Sequence, residues 1–124
     1  MAHETALTSI SLPAGADLSA LQYTFVTVNS SGQCVAAAAN SLALGVLQNN
    51  PLSGEAATVA INGETKIKLG ATLTPSALVE VGATGGKAAA ATGAGSYVMG
   101  IVTKGGADNE IGSMVLKSAG PLAA

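Results

Sequence analysis

The chain contains an internal repeat, and this repeat restricts the possible folds more than any other feature of the sequence. The run LGVLQNNPLSGEAATVAI (44–61) returns fifty-five positions later as MGIVTKGGADNEIGSMVL (99–116), at the same length and without a gap. Gly45 matches Gly100, and apolar residues match at both ends of the two runs. A chain that repeats such a pattern is expected to build the same supersecondary unit twice.

The repeat extends upstream, because VNSSGQCVAAAAN before the first run parallels VGATGGKAAAAT before the second. We place the two copies at about 26–61 and 81–116. Each copy reads as short strands separated by glycine turns. One copy alone exposes an apolar face, so we expect the two to close around a pseudo-twofold axis. The predicted fold is all-β: a small antiparallel barrel or sandwich built from two pseudo-twofold-related halves.

Local patterns refine this prediction. The segment 23–28 alternates as a strand, and Asn62-Gly63 is typical of a two-residue hairpin turn between EAATVAI and ETKIKL. The alanine-rich segments lack the spacing of an amphipathic helix, so we interpret them as strands. A short helix at 36–41 remains an alternative.

The first twenty-two residues show no match in the second half of the sequence. We therefore divide the chain into an extended, flexible N-terminal arm at 1–22 and a single β domain at 23–124. Within the arm, ALTSISL (6–12) alternates apolar and hydroxyl residues, as an extended strand does. We expect this strand to have no partner in its own domain and to pair with the sheet edge of another molecule.

Composition argues against several classes of partner. The chain has five Lys, no Arg and a net charge of −2, which makes it a poor ligand for nucleic acid. No run approaches the roughly 20 apolar residues of a membrane span, and no signal peptide is visible. The lone Cys34 is interpreted as a small core residue, with an intermolecular bridge or a reactive thiol as alternatives. We expect folding in a reducing cytosol.

Motifs for catalysis, cofactor binding or metal binding are missing from the sequence. The only histidine, His3, lies in the arm, far from any candidate nucleophile. GATGGK (82–87) lacks the first glycine and the final Ser or Thr of a phosphate-binding loop. GGADNE (105–110) offers too few oxygen ligands for calcium, and Glu64, Lys66 and Lys68 are typical of a solvated strand face. We therefore predict no catalytic residues, no cofactor, no metal and no enzymatic activity.

The order of these segments resembles that of the capsid decoration, or head cement, proteins of tailed bacteriophages. The resemblance runs from about residue 25 to 118. It rests on GVLQNNPLSGE, on the INGETKIKLG segment, on the GGK turn before an alanine-rich strand, and on the late GIV strand. No single position is diagnostic, and the motifs are specific only in combination.

The resemblance implies a virion protein on the outer surface of the expanded icosahedral capsid, made in the host cytoplasm. It would clamp neighbouring major capsid proteins, as a homotrimer at threefold or quasi-threefold positions, without a cofactor. The expected capsid contacts lie in the arm: Thr5, Leu7, Ile10, Leu12 and Pro13. A tail or spike component is the second interpretation, and an enzyme or small-molecule binding module is the third.

Overall fold

The computed structural model describes residues 5–83, 85–92 and 96–121, and the side chains of 8–83, 85–92 and 96–117. Within these residues all regular structure is β, so the all-β prediction is confirmed. Residues 36–41 contain the end of a strand and a turn and no helix. The strands are β1 (Thr5–Pro13), β2 (Phe25–Val28), β3 (Cys34–Ala36), β4 (Gly45–Leu47), β5 (Ala56–Lys68), β6 (Leu78–Val81), β7 (Ala88–Ala90), β8 (Tyr97–Lys104) and β9 (Ile111–Pro121).

The long strand β5 joins two units with the same strand connections. In unit 1 (residues 5–61) the order is β3-β2-β4-β5-β1, and a parallel bridge from Ala14 to Cys34 connects the two ends. In unit 2 (residues 62–121) the order is β7-β6-β8-β9-β5, and a parallel bridge from Leu69 to Ala88 does the same. Each unit is therefore a small five-stranded sheet that curls until its two edge strands meet at one end.

The strand registers of the two units also correspond. Between β2 and β4 of unit 1, Phe25 pairs with Val46, and at the matching place between β6 and β8 of unit 2, Leu78 pairs with Ile101. The residue pairs between β1 and β5 also match the residue pairs between β5 and β9. Adding fifty-five to both residue numbers of a pair in unit 1 gives the matching pair in unit 2. These pairs are Ile10–Val59 with Thr65–Met114, Leu12–Ala57 with Ile67–Gly112, and Pro13–Ala56 with Lys68–Ile111.

Two matching glycines allow the strands to approach closely. A Cβ atom on Gly45 would overlap the carbonyl oxygen of Ala60, and a Cβ atom on Gly100 would overlap that of Val115. Any side chain at either position would force two paired strands apart. The glycine shared by both copies of the repeat is therefore a packing requirement.

The N-terminal segment belongs to this repeat, so the expectation that it lies outside the repeat is wrong. β1 is the first strand of unit 1, antiparallel to β5, and ALTSISL has a partner strand in its own chain. Hydrogen bonds after β1 match as well: Leu18 N–H donates to Pro51 O, and Leu73 N–H donates to Gly106 O. The sequence signal is short, since GADL (15–18) corresponds to GATL (70–73).

The expected hairpin at Asn62-Gly63 is also wrong, because β5 continues through both residues. The usual type I′ hairpin turn needs a positive φ at both central residues, and only Gly63 has one, at 96°. The two sides of this position pair with different strands. Residues 56–64 pair with β1, and residues 63–68 pair with β9.

The contacts between the units are not reciprocal. Phe25 N–H of unit 1 donates to Gly86 O of unit 2 (2.8 Å), and Asn40 N–H donates to Val81 O (2.9 Å). Phe25 and Val81 are buried, yet their counterparts Leu78 and Val28 are 38% and 42% exposed. A twofold axis would bury corresponding residues equally. The expected pseudo-twofold relation is therefore wrong, and the units pack front to back.

Candidate interaction surfaces

β1 is an edge strand within the described residues, since it pairs along its length only with β5. Ile10 and Leu12 are half-buried and pack against the interior of unit 1, which contains Leu47 and Val59. The other face of the strand, with Ser9 and Ser11, is exposed. Such an edge offers unpaired backbone groups to a strand of another molecule.

The residues that the sequence predicted as capsid contacts have different environments in the structure. Ile10 and Leu12 face their own unit, while Pro13 at the end of the strand is exposed. Thr5 and Leu7 lie in β1, but their side chains are outside the described part. His3 lies outside the described residues altogether. The alternation of ALTSISL therefore reflects two things: its apolar residues face the interior of unit 1, and its hydroxyl residues remain exposed to a partner.

Large apolar side chains are exposed in two places. On unit 2, Leu78, Ile101 and Val115 are paired neighbours on three adjacent strands and are 36–38% exposed; we call them the unit-2 row. On unit 1, a second set is 38–52% exposed and forms what we call the unit-1 patch: Val28, Leu42 and Ile61. Two of these residues, Val28 and Leu42, line an open groove of about 440 Å³. Together the row and the patch hold six of the eight exposed large apolar side chains among the described residues. Neither surface is visible in the sequence, because both depend on which unit covers the other.

Another groove, of about 600 Å³, is lined by 72–75 and 103–106. Lys104 is the only titratable side chain in its lining, and its Nζ atom donates to the neighbouring Gly105 O (3.2 Å). No second titratable side chain lies in this lining to activate the Lys104 amine. The described residues also contain no cluster of three or more His, Cys, Asp or Glu suited to a metal ion.

The charged face of β5 contributes to the junction between the units. Lys66 Nζ lies 5.7 Å from the centre of the Tyr23 ring of unit 1, whereas Glu64 Oε2 accepts a hydrogen bond from Thr103 Oγ1 (2.8 Å) within unit 2. A cation over an aromatic ring is attracted by the negative ring face. These side chains have structural partners, and they do not form a catalytic pair.

Two further groups have environments that fit structural roles. Burial of the Cys34 thiol raises its pKa, which makes it a poor nucleophile. Hydrogen bonds from the side chain and the backbone N–H of Ser19 to the exposed Asp17 carboxylate lower the pKa of Asp17. No helix among the described residues is long and apolar enough to cross a membrane.

Comparison with solved structures identifies a similar fold. The chain matches the N-terminal base of the head fibre protein gp8.5 of bacteriophage phi29, with a TM-score of 0.75 over 96% of this chain and 100% of that chain. The sequence identity is 14%, so the likeness shows a shared fold. No protein-family model matches the sequence, and no curated protein matches it.

Proposed function

We propose that this chain is a structural protein of a bacteriophage head. It binds the outer surface of the expanded icosahedral capsid and holds neighbouring major capsid proteins together. The main support is the fold, which matches the whole of a solved phage head fibre base over 96% of this chain. The resemblance of the sequence to head cement proteins points to the same role.

The proposed contact with the capsid is the free edge of β1. Ile10 and Leu12 hold the strand on its own unit, while Thr5, Leu7 and Pro13 remain the proposed contacts. A strand added to this edge gains main-chain hydrogen bonds, and the exposed Ser9 and Ser11 leave room for it. One such contact is weak, but repetition over a preassembled lattice raises the effective concentration and gives tight retention.

The proposed role needs no turnover and no cofactor. The chain acts by covering boundaries between capsid proteins, and it associates with itself as a homotrimer at threefold or quasi-threefold positions. The described grooves favour such a binding role over an enzymatic one, because they hold no pair of groups for proton transfer.

The first test is the molar ratio of this chain to the major capsid protein in purified virions, by quantitative mass spectrometry. A ratio of one, or a simple fraction of one, is expected for a cement protein. A few copies per particle would instead support the alternative, a tail or spike component. Absence from virions would overturn both proposals.

The second test examines the edge of β1 directly. The double variant Ser9→Lys, Ser11→Lys places two charges on the exposed face of the strand and should weaken binding to expanded capsids about tenfold or more. The matched control, Ser30→Lys with Ser31→Lys, changes two exposed serines in the β2–β3 turn. Equal binding of the two double variants would show that the capsid contact lies elsewhere.

A further inference from the structure

The unit-2 row has a buried counterpart in unit 1. Phe25, Val46 and Ala60 occupy the same register positions as Leu78, Ile101 and Val115. All three unit-1 residues are fully buried, in a core shared with residues of unit 2. The same surface is thus covered in unit 1, where unit 2 packs on it, and is open in unit 2 among the described residues.

The unit-1 patch has the opposite relation. Its counterparts in unit 2 are Val81, Tyr97 and Leu116, which belong to or pack against the core shared with unit 1. Val81 and Leu116 are 1% and 6% exposed. Unit 2 uses these residues to cover unit 1. Unit 1 has the matching residues, the unit-1 patch, but no described part of the chain covers them.

We propose that a second copy of this chain binds there, with the unit-1 patch of one copy on the unit-2 row of the next. This contact repeats between chains the contact that already joins the two units within one chain. It is head-to-tail, so each copy contributes one of two different surfaces. It would close into a ring if the rotation between units allows, and would extend as a filament if it does not.

The proposed contact reproduces the internal one in part. Leu78 N–H would lie opposite Gly32 O, as Phe25 N–H lies opposite Gly86 O. Lys68 N–H donates to Tyr23 O within the chain (2.7 Å), but its counterpart Pro13 has no N–H to donate. The interface between copies therefore relies more on its apolar side chains than the internal interface does.

The test is the mass of the free full-length chain in solution, measured by sedimentation velocity and light scattering without capsid. Ile101→Lys in the row and Leu42→Lys in the patch should each weaken self-association about tenfold or more. Leu52→Lys is the control, because Leu52 is 53% exposed but belongs to neither surface. Far-ultraviolet circular dichroism confirms that each variant is folded, and Val115→Lys and Val28→Lys replace any that is not.

Mixing the two variants distinguishes a head-to-tail contact from a symmetric one. Each variant alone should be monomeric, while the mixture should form a one-to-one complex through the intact row of one and the intact patch of the other. The proposal is overturned if the native chain is monomeric up to about 1 mM, if neither substitution changes its mass, or if one variant self-associates as strongly as the native chain. The head-to-tail contact deepens the self-association part of the proposed function. Because no virion is involved, the outcome of this test is independent of the proposed binding to the capsid.

Discussion

Units 1 and 2 share their strand connections but fill their interiors differently. At matching interior positions Ala14 is replaced by Leu69, while Ala57 is replaced by Gly112. A Cβ atom on Gly112 would overlap the carbonyl oxygen of Lys104 and lie 3.3 Å from both methyl carbons of Leu69, so the close strand and the larger leucine leave no space for a methyl group there. The comparison shows that side-chain volume is distributed differently inside the two units, while the Gly45–Gly100 match and the strand register are kept.

The outer surfaces of the units differ for another reason. Unit 1 is covered by unit 2, whereas the corresponding surface of unit 2 is open. Position in the chain, and not the strand pattern, decides whether a given register position is core. Substitutions at matched positions can therefore separate what each unit needs by itself from what the contact between the units adds.

The largest effect is expected at the glycines that both units need. Gly45→Ala and Gly100→Ala should each lower the free energy of unfolding by about 4–5 kcal/mol, because the added methyl group overlaps a backbone oxygen of the paired strand. Gly54→Ala is the control. A Cβ atom there meets nothing within 4 Å, so only its positive φ of 85° is strained, at a cost of about 1 kcal/mol. Denaturant unfolding measures the free energy of unfolding of all three variants. A small loss of this free energy in Gly100→Ala would show that the two units do not need the glycine equally.

Substitutions in the unit-2 row and at its matching positions in unit 1 should lower the free energy of unfolding by different amounts. Phe25→Ala should cost about 3–5 kcal/mol, because the ring is fully buried between the units. Leu78→Ala at the matching position should cost about 1 kcal/mol or less in the monomer, because that side chain is 38% exposed. Thermal unfolding at low protein concentration makes this comparison. Equal losses would contradict the front-to-back packing of the units.

The sequence predicted the fold class and the repeat because glycine spacing and apolar alternation are local signals. It missed the role of 5–22, since the match between GADL and GATL is too short to stand out from chance. It misplaced a hairpin at Asn62-Gly63, because the two flanks of that dipeptide find partners far away in the chain. The row and the patch could not be predicted at all, because both consist of residues whose exposure is decided by the packing of one unit on the other.

Smaller, equal effects are expected where the loops of the two units are stabilised in the same way. Leu52 N–H donates to Glu55 Oε1 (2.7 Å), and Ala107 N–H donates to Glu110 Oε1 (2.6 Å). Glu55→Ala and Glu110→Ala should each cost about 1 kcal/mol by removing the acceptor, as measured by denaturant unfolding. Glu→Gln keeps an acceptor oxygen and should recover most of the loss. Full cost in the Gln variants would instead assign the effect to charge.

The smallest effect concerns Cys34, whose counterpart in unit 2 is Ala88. Cys34→Ala should cost about 1 kcal/mol at neutral pH, since only one sulfur atom is removed and the matching position already accepts alanine. The native thiol should react with a thiol reagent only on unfolding, because burial raises its pKa. Above the ordinary pKa of 9.0 the unfolded thiol ionises while the folded thiol stays protonated, so this residue favours unfolding increasingly as pH rises. The native chain should therefore lose its advantage over Cys34→Ala between pH 8 and 10 in urea unfolding. A difference that does not change with pH would mean that the thiol is as accessible to ionisation in the folded chain as in the unfolded one.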